Sequence, residues 1–173
     1  VLRPGWPMHR RLAELLQRHE VRCVYVSNHP RRHAETVAAA LGAQKHVLCE
    51  APLALHPAEA ATLQRMAEQR GLVLAMNYTW RATAALRRLH DLLAEEAIGE
   101  VLGGAIRNSS PLRREQQTWR LAPDGGGALL VRTLQSADVV QFLLHRSVRK
   151  VAAHASAPLR AGQVEEDVFG HFI

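Results

Sequence analysis

Val21-Arg22-Cys23-Val24-Tyr25-Val26 runs through the turn Ser27-Asn28-His29-Pro30-Arg31-Arg32 into His33-Ala34-Glu35, and the segment closes on His46-Val47-Leu48-Cys49-Glu50-Ala51-Pro52. The first six residues are short, apolar and rich in β-branched side chains, as a buried strand requires. Ala34, Val37, Ala38 and Leu41 then recur at helical spacing, and Gly42 is expected as the C-cap. His46–Cys49 reads as the next strand. Strands separated by helices of this length need crossover connections, which make the sheet parallel.

The pattern extends in both directions. Upstream, Leu12, Leu15, Leu16 and His19 mark one face of a short helix. Downstream, Pro57 suits a first helical turn, Glu59 suits the positive end of the dipole, and Gly71 stops the helix. Ala60, Leu63 and Ala67 form its buried stripe. Leu72-Val73-Leu74-Ala75-Met76 is a third strand, and Leu86, Leu89 and Leu93 share a face of the helix after it.

Beyond that helix, which ends near Ile98-Gly99, the pattern changes. Val101–Asn108 is strand-like, Ser109–Asp124 is polar and irregular, and Gly125-Gly126-Gly127 opens the most apolar helix, Ala128–His145. Val148–Ala155 and Asp167–Ile173 read as strands. The fold class is therefore α/β, a partial Rossmann-type parallel sheet followed by an α+β domain with an open, mainly antiparallel sheet. The expected domains are 1–80 and 81–173, with the change near residues 77–85.

Composition narrows the function classes. All but Lys45 and Lys150 of the 22 basic residues are arginine, and the net charge is +6. The arginine doublets lie on different elements with few aromatics beside them, so solvated helix faces or an arginine-lined pocket for phosphate or carboxylate are favoured over nucleic acid. No apolar run approaches a membrane span. Cys23 and Cys49, both in apolar runs, are expected as buried free thiols, which fits a reduced cytoplasmic setting.

Candidate site residues follow from the carboxyl ends of the parallel strands, where open α/β sheets hold ligands. Asn28 and His29 follow the first strand, and Glu50 follows the second. His29 and His33 stand four apart, but no third ligand accompanies them, so no metal is expected. Pro52 forces an extended residue before it and suits a tight, cis-compatible turn. The triple glycine lacks the phosphate-loop spacing and reads as a turn that starts a buried helix. No nucleophile–base constellation is visible.

Val21–Pro52 resembles the second half of the nucleotide domain in the Gfo/Idh/MocA oxidoreductases, the glucose–fructose oxidoreductase and inositol dehydrogenase type. The family pattern is a strand, a Thr-Pro turn, His-Ala-Glu opening a helix, then Gly-Lys-His-Val-x-x-Glu-Lys-Pro. Arg81, Ile98-Gly99-Glu100-Val101, Trp119-Arg120, Gly125-Gly126-Gly127 and Glu166-Asp167 continue the likeness. The family's N-terminal glycine-rich half has no counterpart.

The resemblance implies NAD or NADP as cofactor and hydride transfer to or from a sugar- or polyol-like substrate. It implies Asn28, His29, His33, Glu50 and Arg120 at the cofactor, and pairing of copies through the substrate-domain sheet. The positions of the family's Lys, Asp and His hold Ala51, Val131 and Gln135. That points to altered catalytic groups in an active enzyme, or to a degenerate ligand-binding or assembly subunit. Asp138, also matched, is expected to serve structure.

Overall fold

A computed structural model describes residues 11–109, 126–156, 164 and 168–172. The chain divides into two compact units, Val1–Asn28 with Arg32–Met76, and His29–Arg31 with Asn77–Ile173.

The first unit begins with α1 (Leu12–Leu16) and continues β1 (Cys23–Val26), α2 (His33–Gly42), β2 (His46–Cys49), α3 (Pro57–Gln69) and β3 (Leu74–Met76). The three strands form one parallel sheet in the order β1-β2-β3, with Val26 opposite Cys49 and Cys49 opposite Met76. Period-two alternation sends Val24, Val26, Val47 and Cys49 to one face. There they pack with Val37, Ala40 and Leu41 of α2 and with Leu63 and Ala67 of α3. Fully removing a side chain such as Leu41 from water contributes about 1.5–3 kcal/mol.

The alternation also corrects the reading of the cysteines. Cys49 is buried, but Cys23 lies on the opposite face of β1 beside Tyr25 and is exposed.

The helix ends share one device. After α2, α3 and α4 (Ala84–Ala94) the chain enters the left-handed region at Gln44 (φ 59), Gly71 (φ 63) and Glu96 (φ 53). In each, the next amide reaches back to the helix: Lys45 to Ala40, Leu72 to Ala67 and Ala97 to Leu92. This is the Schellman closure, which satisfies carbonyls the helix leaves free. Gly71 stops α3 as expected. Gly42, expected as the C-cap of α2, is its last helical residue, and Gln44 takes the left-handed position.

In the second unit, the short 3₁₀ turn Thr79–Ala82 precedes α4. Gly126 and Gly127 are buried, Gly127 at φ 95, and the chain then makes a π-helical turn, Leu129–Thr133, before α5 (Leu134–Leu144). β4 (Val151–Ala155) and β5 (Val168–Phe172) pair antiparallel. Val101–Asn108 is not a strand: Leu102 is 92% exposed, and no ladder partner lies beside the segment among the described residues. An isolated extended run has nothing to satisfy its amides but water. No described helix is long and apolar enough to cross a membrane.

Candidate functional site

The carboxyl edge of the parallel sheet carries a polar network. The β1–β2 ladder extends one residue past β2, where the Glu50 amide donates to the Val26 carbonyl at 2.9 Å. Glu50 and the turn after Val26 are thereby fixed side by side. The Glu50 carboxylate accepts from the hydroxyl of Tyr25, an exposed residue on the open face of β1. Asn28 donates its side-chain amide to the Thr36 hydroxyl in the first turn of α2 at 2.9 Å. The Ala51–Pro52 peptide is cis, and Pro52 is buried.

His33, an expected cofactor residue, sits behind this edge at 1% exposure. Its Nδ1 lies 2.6 Å from the Pro52 carbonyl and its Nε2 2.9 Å from the Asn28 carbonyl. The ring spans the turn after β1 and the cis-proline turn after β2, and neither nitrogen is left for a ligand. His29 accepts the Arg31 amide on Nδ1 at 3.3 Å and by its contacts belongs to the second unit. Of the expected residues, the edge thus unites Asn28 and Glu50, with His33 as the brace beneath them. Arg120 lies outside the described residues. Tyr25 and Thr36 are participants that the sequence reading missed. The alternation of β1 was the available signal for Tyr25, since it puts that ring opposite the buried valines.

Buried Cys49 does not add reactivity here. Burial, with a smaller contribution from the Glu50 charge, pushes its thiol up to about 12, so it stays protonated at neutral pH.

In the second unit, the two matched residues Arg81 and Asp138 prove to be partners. Arg81 grips the buried Asp138 carboxylate with two N–H bonds, 2.8 Å from Nε and 2.5 Å from Nη2. The guanidinium also faces the rings of Tyr78 at 5.9 Å and Phe142 at 5.4 Å. Asp138 holds the Arg81 charge above its ordinary range, and burial followed by Asp138 raises the Tyr78 phenol. This fork ties the 3₁₀ turn to α5, which is the structural task expected of Asp138. Gln135 lies half-buried at the start of α5, one turn before it. Arg132, on the π-helical turn, donates to Asn108 at 3.1 Å.

The family resemblance implies a nicotinamide dinucleotide, and these groups bear on how it would be held. Glu50 and Asn28 present an acceptor and amide chemistry suited to ribose or carboxamide. Of the three helices that follow strands, α4 has no acidic residue in its first turn, but the N-termini of α2 and α3 each carry a carboxylate, Glu35 and Glu59. Those termini repel a pyrophosphate, which favours a bare helix N-terminus.

Comparison with known proteins agrees with the fold. Residues 2–78 match the oxidoreductase family with NAD-binding Rossmann fold, Gfo/Idh/MocA, and residues 86–172 match the Gfo/Idh/MocA C-terminal domain. The chain belongs to the Gfo/Idh/MocA oxidoreductase family. It is similar to 1,5-anhydro-D-fructose reductase of Ensifer adhaerens, 37% identical over 91% of this chain and 48% of the relative. It is also similar to dTDP-3,4-didehydro-2,6-dideoxy-alpha-D-glucose 3-reductase of Streptomyces violaceoruber, 39% identical over 78% of this chain and 40% of the relative. Among solved structures, GenD2 from gentamicin A biosynthesis in complex with NAD superposes with a TM-score of 0.83 at 24% identity, over 97% of this chain and 49% of that one. The chain spans less than half the length of these relatives.

Proposed function

We propose that this chain is part of an NAD(P)-dependent oxidoreductase acting on a sugar- or polyol-like substrate, with altered catalytic groups. The observation that carries the reading is the shared carboxyl edge: Asn28 and Glu50 follow adjacent parallel strands there, and His33 bridges the two turns behind them. Membership of an oxidoreductase family whose named relatives act on sugars supports the substrate class.

When bound, the nicotinamide would accept or donate the hydride at the carbinol carbon. The chain's own residues must do the rest. Asn28 and Glu50 orient hydroxyl or carboxamide groups by hydrogen bonds, and Tyr25 fixes the Glu50 carboxylate. The substrate hydroxyl proton needs a base within hydrogen-bond reach whose pKa lies near working pH. Ala51 and Val131 offer none, and the Gln135 amide holds a hydroxyl without titrating.

Those three replacements also favour a second reading, a ligand-binding subunit of the same fold that does not turn over. The two separate in full-length protein by NAD(P)H fluorescence titration followed by steady-state oxidation of a sugar and polyol panel. Binding with slow turnover is expected, and the triple variant Ala51→Lys, Val131→Asp, Gln135→His should raise the rate. General-base catalysis contributes about 10²–10⁴-fold. Turnover by the unmodified protein at about 1–10³ per second would mean that another residue supplies the base. Absence of any turnover with intact binding would favour the second reading.

The proposal extends to assembly. All five residues of β4 are exposed, and Phe169 of β5 (69% exposed) leaves apolar surface open on the face of the β4–β5 sheet that it shares with Ala152 and His154. A second copy of the chain is the proposed cover, since a two-fold interface buries the same patch on both subunits.

A further inference from the structure

In the second unit, His90 of α4 and His145, the residue that ends α5, meet with their Nε2 atoms 2.6 Å apart. Their rings cross at 68°. His90 is held from two sides. Its ring stacks on Phe142 of α5 at 4.7 Å, and its Nδ1 lies 3.2 Å from the Asp91 carboxylate. A carboxylate only accepts, so it draws the ring proton to Nδ1 and leaves the Nε2 lone pair directed at His145. A carboxylate behind a histidine in this way is the arrangement that orients metal-binding imidazoles. His145 sits in the left-handed conformation at φ 50 and is exposed, so solvent reaches the pair.

We propose that His90 and His145 form a two-histidine site for a borderline divalent transition ion of the Zn²⁺, Ni²⁺ or Cu²⁺ class. Tetrahedral Zn²⁺ at about 2.0–2.1 Å from each nitrogen sets the two nitrogens roughly 3.4 Å apart, so the rings need part by only about 0.8 Å. Among the described residues no group of three or more His, Cys, Asp or Glu is arranged to hold a metal. With water in its remaining positions the bound ion would be exchangeable. Imidazole donors select against Mg²⁺ and Ca²⁺, which take oxygen ligands. A bound ion would link α4 to the end of α5.

The test uses tag-free, full-length protein stripped with a chelator. Calorimetric titration with Zn²⁺, and separately with Cu²⁺, should show one site per chain that weakens at least tenfold in His90→Gln and in His145→Asn. The control His19→Gln, an exposed residue outside the pair, should bind as the parent does. Cu²⁺ should bind more tightly than Zn²⁺, and Mg²⁺ should give no heat. The Cu²⁺ electron paramagnetic resonance spectrum should show coupling to two imidazole nitrogens, reduced in either variant. Asparagine tolerates the left-handed conformation, so His145→Asn keeps the test valid if His90→Gln unfolds. Equal affinity in parent and both variants, or no saturable site in the parent, would overturn the proposal and leave a proton-sharing histidine pair.

Discussion

His33 shows how one side chain sets the candidate site without facing a ligand. Both ring nitrogens point at backbone carbonyls, one from each turn at the sheet edge. Removing the ring takes away the N–H that the imidazole donates to these carbonyls, and a buried acceptor left unpaired costs about 1–3 kcal/mol. His33→Ala is therefore expected to lose about 1–3 kcal/mol in urea denaturation; a loss below about half a kcal/mol would show that the brace is dispensable. The sequence showed that this histidine opens a helix beside a ligand-binding edge, but the direction of its ring depends on the turn after β2, nineteen residues away in the chain. The cysteines give a second residue-scale expectation. Exposed Cys23 should react with a disulfide reagent in the native state, and Cys49 only after unfolding. Because burial raises Cys49 in the folded state to about 12, its unfolded thiol ionises first. The stability this contributes is whole below about pH 8.5 and is lost as pH rises toward 12. Denaturation midpoints across that range should fall, and a Cys49→Ser variant should fall less.

At the scale of elements, the left-handed closures of α2, α3 and α4 are a common solution met by different residues. Gly71 accepts its conformation freely, and no heavy atom outside its neighbours would meet an added Cβ. Gln44 holds the same conformation at a steric disadvantage of roughly 1–2 kcal/mol relative to glycine. Gln44→Gly is expected to raise stability by about 0.5–1 kcal/mol, after the greater unfolded-state freedom of glycine is subtracted. A lower thermal midpoint would contradict this. Strands and helices of the first unit were legible because buried faces impose periods of two and 3.6. The end of α2 was misread because a glycine two residues earlier carries the usual signal, whereas Gln44 is forced left-handed by the Lys45–Ala40 closure. The Arg81–Asp138 fork was legible only in part. Each residue matched a family position, yet nothing in a linear sequence says that positions 81 and 138 share a bond.

For the whole molecule, the division into two units separates what each half of the sequence offers. The first carries the sheet edge with Asn28 and Glu50. The second carries Gln135, the Arg81–Asp138 fork and the exposed β4–β5 sheet. If a second copy covers the face of that sheet that carries Phe169, full-length protein should elute as a dimer, and Phe169→Glu should release monomers. An unchanged elution volume would place the interface elsewhere. The strand order has a consequence for how the chain is made. Every neighbour in the parallel sheet is also the next strand along the chain. A ribosome delivering the chain from its amino end exposes β1, α2 and β2 before β3 exists, and Val24, Val37, Leu41 and Val47 can pack together before Leu63 and Ala67 of α3 join them. The first unit can thus begin to close while synthesis continues, each new strand meeting an edge already in place, and the nascent chain need not wait for its carboxyl end to start hiding its apolar face.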